Sequence, residues 1–144
     1  MNMKQTELRQ LSDERSWELL AKRTVGRLAV AVNGQPDIFP VNYAVDDHHI
    51  VIRTAEGMKF AAALSGKSVA FEVDELDAAR QTGWSVVIRG TAAEPKYVED
   101  YLRSLDLEIS PWAKGSKERF IIISPIAVEG RVLPPATSGC LQPT

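Results

Sequence analysis

A chain of 144 residues is one domain of ordinary size, long enough to bury roughly 70% of its unfolded surface and to hold a core without staples. With 17 Lys and Arg against 19 Asp and Glu, the formal charge is −2, and 44% of residues are apolar, so there is no excess of positive charge to hold a nucleic-acid backbone. No apolar run approaches the ~20 residues that span a bilayer, and Met1-Asn2-Met3-Lys4-Gln5-Thr6-Glu7 lacks the apolar centre of a secretory leader, so a cytoplasmic protein with no nucleic-acid or membrane partner is expected.

Cys140 is the only cysteine, which excludes an intrachain disulfide and a thiolate cluster within one chain. In order, Ser12 followed by Asp13 and Glu14 reads as a helix start, a hydroxyl cap with acids at the positive end of the dipole. That helix is expected to run to about Lys22, with Trp17 and Leu20 on one face, Leu19 beside it, and Glu14, Arg15, Glu18 and Lys22 in water. From Val25 the period changes to two: Leu28, Val30 and Val32 alternate with Arg27, Ala29 and Ala31. Asn33-Gly34 supplies the positive φ of a tight hairpin, and a second strand follows over about Asp37 to Val45. Pro40 cannot donate to a ladder, so its place points to an edge, a bulge or a close approach.

Asp46-Asp47 is the next expected turn, and His48 to Ile52 the third strand. Adjacent histidines on a strand face opposite ways, which argues against one metal held by both. After the β-branched run Ile50-Val51-Ile52, the chain carries Arg53, Thr54, Gly57 and Lys59 into a predicted helix that Gly66 ends. A planar guanidinium, a hydroxyl, a mobile ammonium and a helix N-terminus together suit a phosphate monoester. Ser68 to Asp74 reads as a fourth strand and Glu75 to Gly83 as a polar connection whose acids lack the spacing of a calcium loop.

Trp84 to Ala93 alternates as a fifth strand. Ser85 lies outside any Gly-x-Ser-x-Gly elbow. A third helix is predicted from Pro95, with Val98, Tyr101, Leu102 and Leu105 at helical spacing, then a loop over Leu107 to Glu118 that holds Trp112, Lys114 and Lys117. Phe120 to Ile123 and Ile126 to Leu133, separated by Pro125, finish the sheet as one bent strand or two short ones. Residues 1–133 thus form a single domain, mainly β with short helices, whose consecutive antiparallel strands close best as a small barrel, and residues 134–144 a flexible tail.

Five segments in this order, Val25-Gly26-Arg27-Leu28-Ala29, Pro40-Val41-Asn42-Tyr43, Ile52-Arg53-Thr54 with Gly57-Met58-Lys59, Phe71-Glu72-Val73-Asp74 and Gly83-Trp84-Ser85-Val86, resemble the FMN-binding split-barrel proteins of the pyridoxamine 5′-phosphate oxidase-like family, in its shorter bacterial branch. The resemblance spans roughly residues 12 to 132. It implies a split barrel, a homodimer with an FMN in each intersubunit cleft, Arg53, Thr54 and Lys59 on the FMN phosphate, and Val41, Asn42 and Tyr43 beside the flavin ring. Trp84 and Ser85 match a segment that approaches the cofactor in relatives, with the partner subunit as one source, and Trp112 is a candidate wall of the site. An FMN-dependent oxidoreductase acting on a small acceptor such as a quinone or nitro compound is the expected function. Deazaflavin-dependent reduction and a non-catalytic flavin or haem carrier or sensor are the alternatives. Leu133-Pro134-Pro135-Ala136-Thr137 has no Arg-containing counterpart of the segment that binds pyridoxal phosphate in the true oxidases, so that oxidation is not expected.

Overall fold

Seven strands and one helix make up the described part of the chain, which in this computed structural model comprises residues 9–54, 66–95 and 119–133. They are β1 (Arg9–Leu11), α1 (Asp13–Ala21), β2 (Val25–Val32), β3 (Gln35–Asp46), β4 (His49–Thr54), β5 (Ser68–Asp77), β6 (Thr82–Ala93) and β7 (Arg119–Leu133). The predicted helices after Arg53 and Pro95, together with Lys59 and Trp112, lie outside the described residues.

The sheet order is β1-β7-β4-β3-β2-β5-β6, and β6 also pairs with β7, so β2 to β7 close on themselves and β1 flanks β7. All pairings are antiparallel. Alternation puts Leu28, Tyr43, Ile50, Ile52, Phe71, Val86, Ile88, Ile121 and Ile123 inside, where they form one buried core. Trp17 and Leu20 of α1 join that core. Ser12 caps α1 as expected, accepting from the Arg15 N–H at 3.1 Å. The helix lies close on β7, where a Cβ at Gly130 would stand 2.1 Å from the Ser16 Oγ.

Hairpin chemistry explains several boundaries. Asn33 and Gly34 have φ of 54° and 76°, the left-handed pair that a two-residue turn between Val32 and Gln35 needs. The next turn is made by Asp47 and His48, at φ 51° and 57°, rather than by Asp46-Asp47. Asp46 instead pairs with His49, and His48 leaves the strand to stack on Trp17 with ring centroids 5.0 Å apart. Expecting a polar connection over Glu75–Gly83 was also too long: Glu75, Leu76 and Asp77 pair with Trp84, Gly83 and Thr82, and only four residues turn the chain. Cross-strand contacts outweigh the low strand propensity of Glu and Asp here.

Pro40 pairs with β2 through Arg27, while β4 covers β3 only from Tyr43 onward. Among the described residues the other edge at Pro40 is open, which suits a residue with no N–H to offer. The last segment is one bent strand. Arg119–Ile123 pair with β4, Ile122–Leu133 with β6 and Gly130–Val132 with β1; between Arg89↔Ala127 and Gly90↔Pro125, Ile126 is the extra residue of a bulge and points outward, 75% exposed. Strand β1 carried no sequence signal, since three residues are too few for a periodic pattern.

Candidate functional site

Arg53 is placed by the alternation of β4. Ile50 and Ile52 enter the core, so Val51 and Arg53 face the other side of the sheet, where Val51, Ala44 and Phe120 form a second small apolar cluster. Phe120 stands directly across from Arg53. A half-buried guanidinium at the end of a strand, beside an apolar floor, has the chemistry to hold an anionic group attached to an apolar body. Thr54 closes the strand opposite Arg119.

On β3 the same alternation separates the three residues expected beside a flavin ring. Val41 and Tyr43 point into the core and Asn42 to the outer face, one residue before the Tyr43↔Ile52 pair and so next to Arg53. Tyr43 is 1% exposed, meets Phe71 edge to face at 4.8 Å and donates its hydroxyl to the Leu20 carbonyl at 2.5 Å. Burial pushes that phenol far above its ordinary range, with the nearby Arg23 charge opposing only in part. Its side chain is therefore a core strut that ties α1 to the barrel, turned away from the outer face on which Arg53 lies. Asn42 and the β3 backbone remain as the groups this segment can present on the outer face.

Trp84 and Ser85 sit elsewhere. The order β4-β3-β2-β5-β6 puts them four interstrand spacings from Arg53, on the order of 19 Å along the sheet at roughly 4.8 Å each. By the other way round, 11 residues of β7 separate Phe120, opposite Arg53, from Arg131, opposite Ser85. Trp84 also belongs to the inner face and packs on the main core, while Ser85 belongs to the outer one. The chain thus brings Arg53 and Asn42 together and leaves Trp84 and Ser85 apart from them.

The indole of Trp84 is fixed by a residue the sequence reading passed over. Its Nε1–H donates to Glu75 Oε1 at 3.2 Å, and the same carboxylate pairs with Arg23, just past α1. Hydrogen bonding from Arg23, and then from Trp84, holds the Glu75 carboxyl below its usual range. The only signal in the sequence would have been the Glu75↔Trp84 register, which depends on recognising the tight β5–β6 hairpin.

Between the two halves, the outer face is charged. Arg27 lies 3.6 Å from Glu72 and 4.0 Å from Asp74, and Glu129 receives both Arg89 and Arg131. Burial first, then a hydrogen bond and charge repulsion from Asp74, push the Glu72 carboxyl up to about 7 against the pull of Arg27. The arrangement is one of paired charges around a carboxyl that keeps its proton to higher pH. Among the described residues no group of three His, Cys, Asp or Glu is placed to hold a metal, and no helix is long and apolar enough to cross a membrane.

A closed antiparallel barrel, flanked among the described residues by one short helix, defines a split-barrel protein. The chain belongs to the pyridoxamine 5′-phosphate oxidase family, whose model matches residues 12–132. It is similar to a FAD-binding protein from Mycobacterium smegmatis, with 32% identity and a TM-score of 0.77 over 88% of this chain and 100% of the other. A FAD-binding protein from Mesorhizobium loti shares 27% identity, with a TM-score of 0.71 over 88% of this chain and 99% of that one. An uncharacterised protein of Mycobacterium tuberculosis is 35% identical over 132 residues, 86% of this chain and 84% of its own length.

Proposed function

We propose that the protein is a homodimeric flavoprotein, an oxidoreductase that passes electrons from the flavin mononucleotide unit, bound as FMN, to a small planar acceptor of the quinone or nitro type. The observation that carries this reading is the likeness along nearly the whole chain to two solved proteins named for FAD binding, each above 25% identity. FMN and FAD share the phosphate and ring that the Arg53 end would meet. The donor set fits: Arg53 with Thr54 and Lys59 would hold the phosphate, and Asn42 with the β3 backbone at Val41 and Tyr43 would border the ring.

The separation of Arg53 from Ser85 supports a dimer. Two copies related by a two-fold axis would each lend the outer face of β6 at Ser85 to the other's Arg53, and Trp112 would help wall the opening. When bound, the flavin supplies the hydride chemistry, and the protein's part is to orient the acceptor and exclude water. No second anion site is evident near Arg53 among the described residues for a phosphorylated substrate, so turnover of pyridoxamine phosphate is not part of the reading.

An absorption spectrum and a fluorescence-quenching titration with FMN test the cofactor, and sedimentation tests the assembly, with one species at twice the 15.9 kDa chain mass expected. Anaerobic reoxidation of the reduced flavoprotein by quinones and nitroaromatics then tests the reaction. No flavin uptake would overturn the reading; reoxidation no faster than that of free reduced FMN would leave a carrier instead of an enzyme.

A further inference from the structure

One row of side chains crosses four strands at the mouth of the barrel. Arg9 pairs with Val132, Val132 with Trp84, and Trp84 with Glu75. Paired residues share a face, so the four stand in line from β1 through β7 and β6 to β5, over three interstrand spacings or roughly 14 Å. The row lines a cleft of about 730 Å³ whose other walls include Asp77, Thr82 and Leu133. That volume is in the usual range for a small-molecule site, roughly 300–1,000 Å³.

The chemistry changes in order along the row. At one end Arg9 has no ion pair among the described residues, whereas Glu75 is neutralised by Arg23 and Asp77 by Arg80. The charge left over in the cleft is therefore positive and lies at the Arg9 end. In the middle, Val132 and the half-buried Trp84 give an apolar and aromatic surface, with the indole held in place by its bond to Glu75. At the far end, Glu75 Oε1 takes both Arg23 and Trp84, and Oε2 is left to accept a hydrogen bond.

We propose that this cleft binds the adenosine 5′-phosphate group of a nucleotide, with the phosphate at Arg9, the purine against Trp84 and its amino group toward Glu75. An anion, a flat ring and a hydrogen-bond donor follow one another in that group as guanidinium, indole and carboxylate do in the row. Two sources carry the same group, a free adenine nucleotide and the adenylate half of FAD. The site is built by one chain, so it goes beyond the flavin reading and its occupancy by AMP needs no flavin.

The test is calorimetric titration of the full chain with AMP. Saturable binding is expected, with adenosine and ribose 5-phosphate each at least tenfold weaker, and inosine 5′-phosphate at least tenfold weaker because it turns a carbonyl toward Glu75. Arg9→Ala should lower AMP affinity about tenfold and leave adenosine affinity unchanged. FAD binding at least tenfold tighter than FMN, with the difference lost in Arg9→Ala, would make FAD the source; equal FAD and FMN affinities with AMP binding intact would make it a free nucleotide. Absence of AMP binding at millimolar concentration, equal affinity for the inosine nucleotide, or an Arg9→Ala variant that binds AMP like the wild type would each overturn the site. Uptake of FMN without AMP binding would sink this proposal alone, and AMP binding without flavin uptake would sink only the flavin reading.

Discussion

At one end of β7, Phe120 stands opposite Arg53 above the small cluster of Val51 and Ala44; at the other, Val132 stands opposite Trp84, whose indole is tied to Glu75 and through it to Arg23. At the first end, strand alternation turns a cation to the outer face beside an apolar floor. The second is braced by a network that joins the α1–β2 connection to β5 and β6. Alternation sets the face a side chain takes, whereas the network at Trp84 also sets the orientation of its ring. The bulge at Ile126 sits between the two ends and bends the strand that joins them.

Disturbing that bend should have the largest effect. At Gly90 a Cβ would stand 2.0 Å from the Ser124 carbonyl oxygen, a backbone atom that cannot swing aside. Gly90→Ala is expected to cost about 3 kcal/mol of stability, read from urea denaturation, because overpacking forces backbone shifts. Wild-type stability would mean that the two ends are not held in register by this contact.

Next comes the Arg53 end by itself. Arg53→Ala should weaken FMN about ten- to a hundredfold, the value of a charge-assisted hydrogen bond at about 1.5–3 kcal/mol, while the apo protein melts as before. Unchanged affinity would remove this end from the site.

The charged face between the ends should answer to pH. Glu72 binds its proton more tightly in the folded state, near 7 against an ordinary 4.5, so its contribution is present below about 4.5 and is lost as pH rises through about 7. Glu72→Gln, which keeps the neutral form, should melt near the wild type at pH 4.5 and above it at pH 8. A difference in melting temperature that does not change with pH would contradict the raised Glu72 carboxyl.

The smallest change is expected from Arg23→Ala. Its pair with Glu75 is half exposed and screened by water, so stability should barely move. Loosening of the brace should nevertheless lower the fluorescence anisotropy of Trp84, measured with Trp17 and Trp112 replaced by phenylalanine. Anisotropy equal to that of the braced protein would show that strand packing, without the network, fixes the indole.

Residue pattern by itself determined the cap at Ser12, the Asn33-Gly34 hairpin, the inward faces of β2 and β6 and the mainly β class, because each follows from local φ, ψ preference or a period of two. Arg53 stands out as a cation after a β-branched run, but its face follows only from the pairing of β4. Tertiary structure decided the rest. Tyr43 reads by its segment as a neighbour of the flavin ring, and only the Leu20 carbonyl 2.5 Å from its hydroxyl shows its side chain to be a strut. Glu75 to Gly83 reads as a loop by composition, and becomes paired strand because the opposing residues and the Arg23 contact outweigh propensity. The distance between Arg53 and Trp84, and the row that runs from Arg9 to Glu75, depend on register between strands far apart in the chain. Period fixes which face a residue takes; closure of the barrel fixes its neighbours on that face, and no local preference encodes that choice.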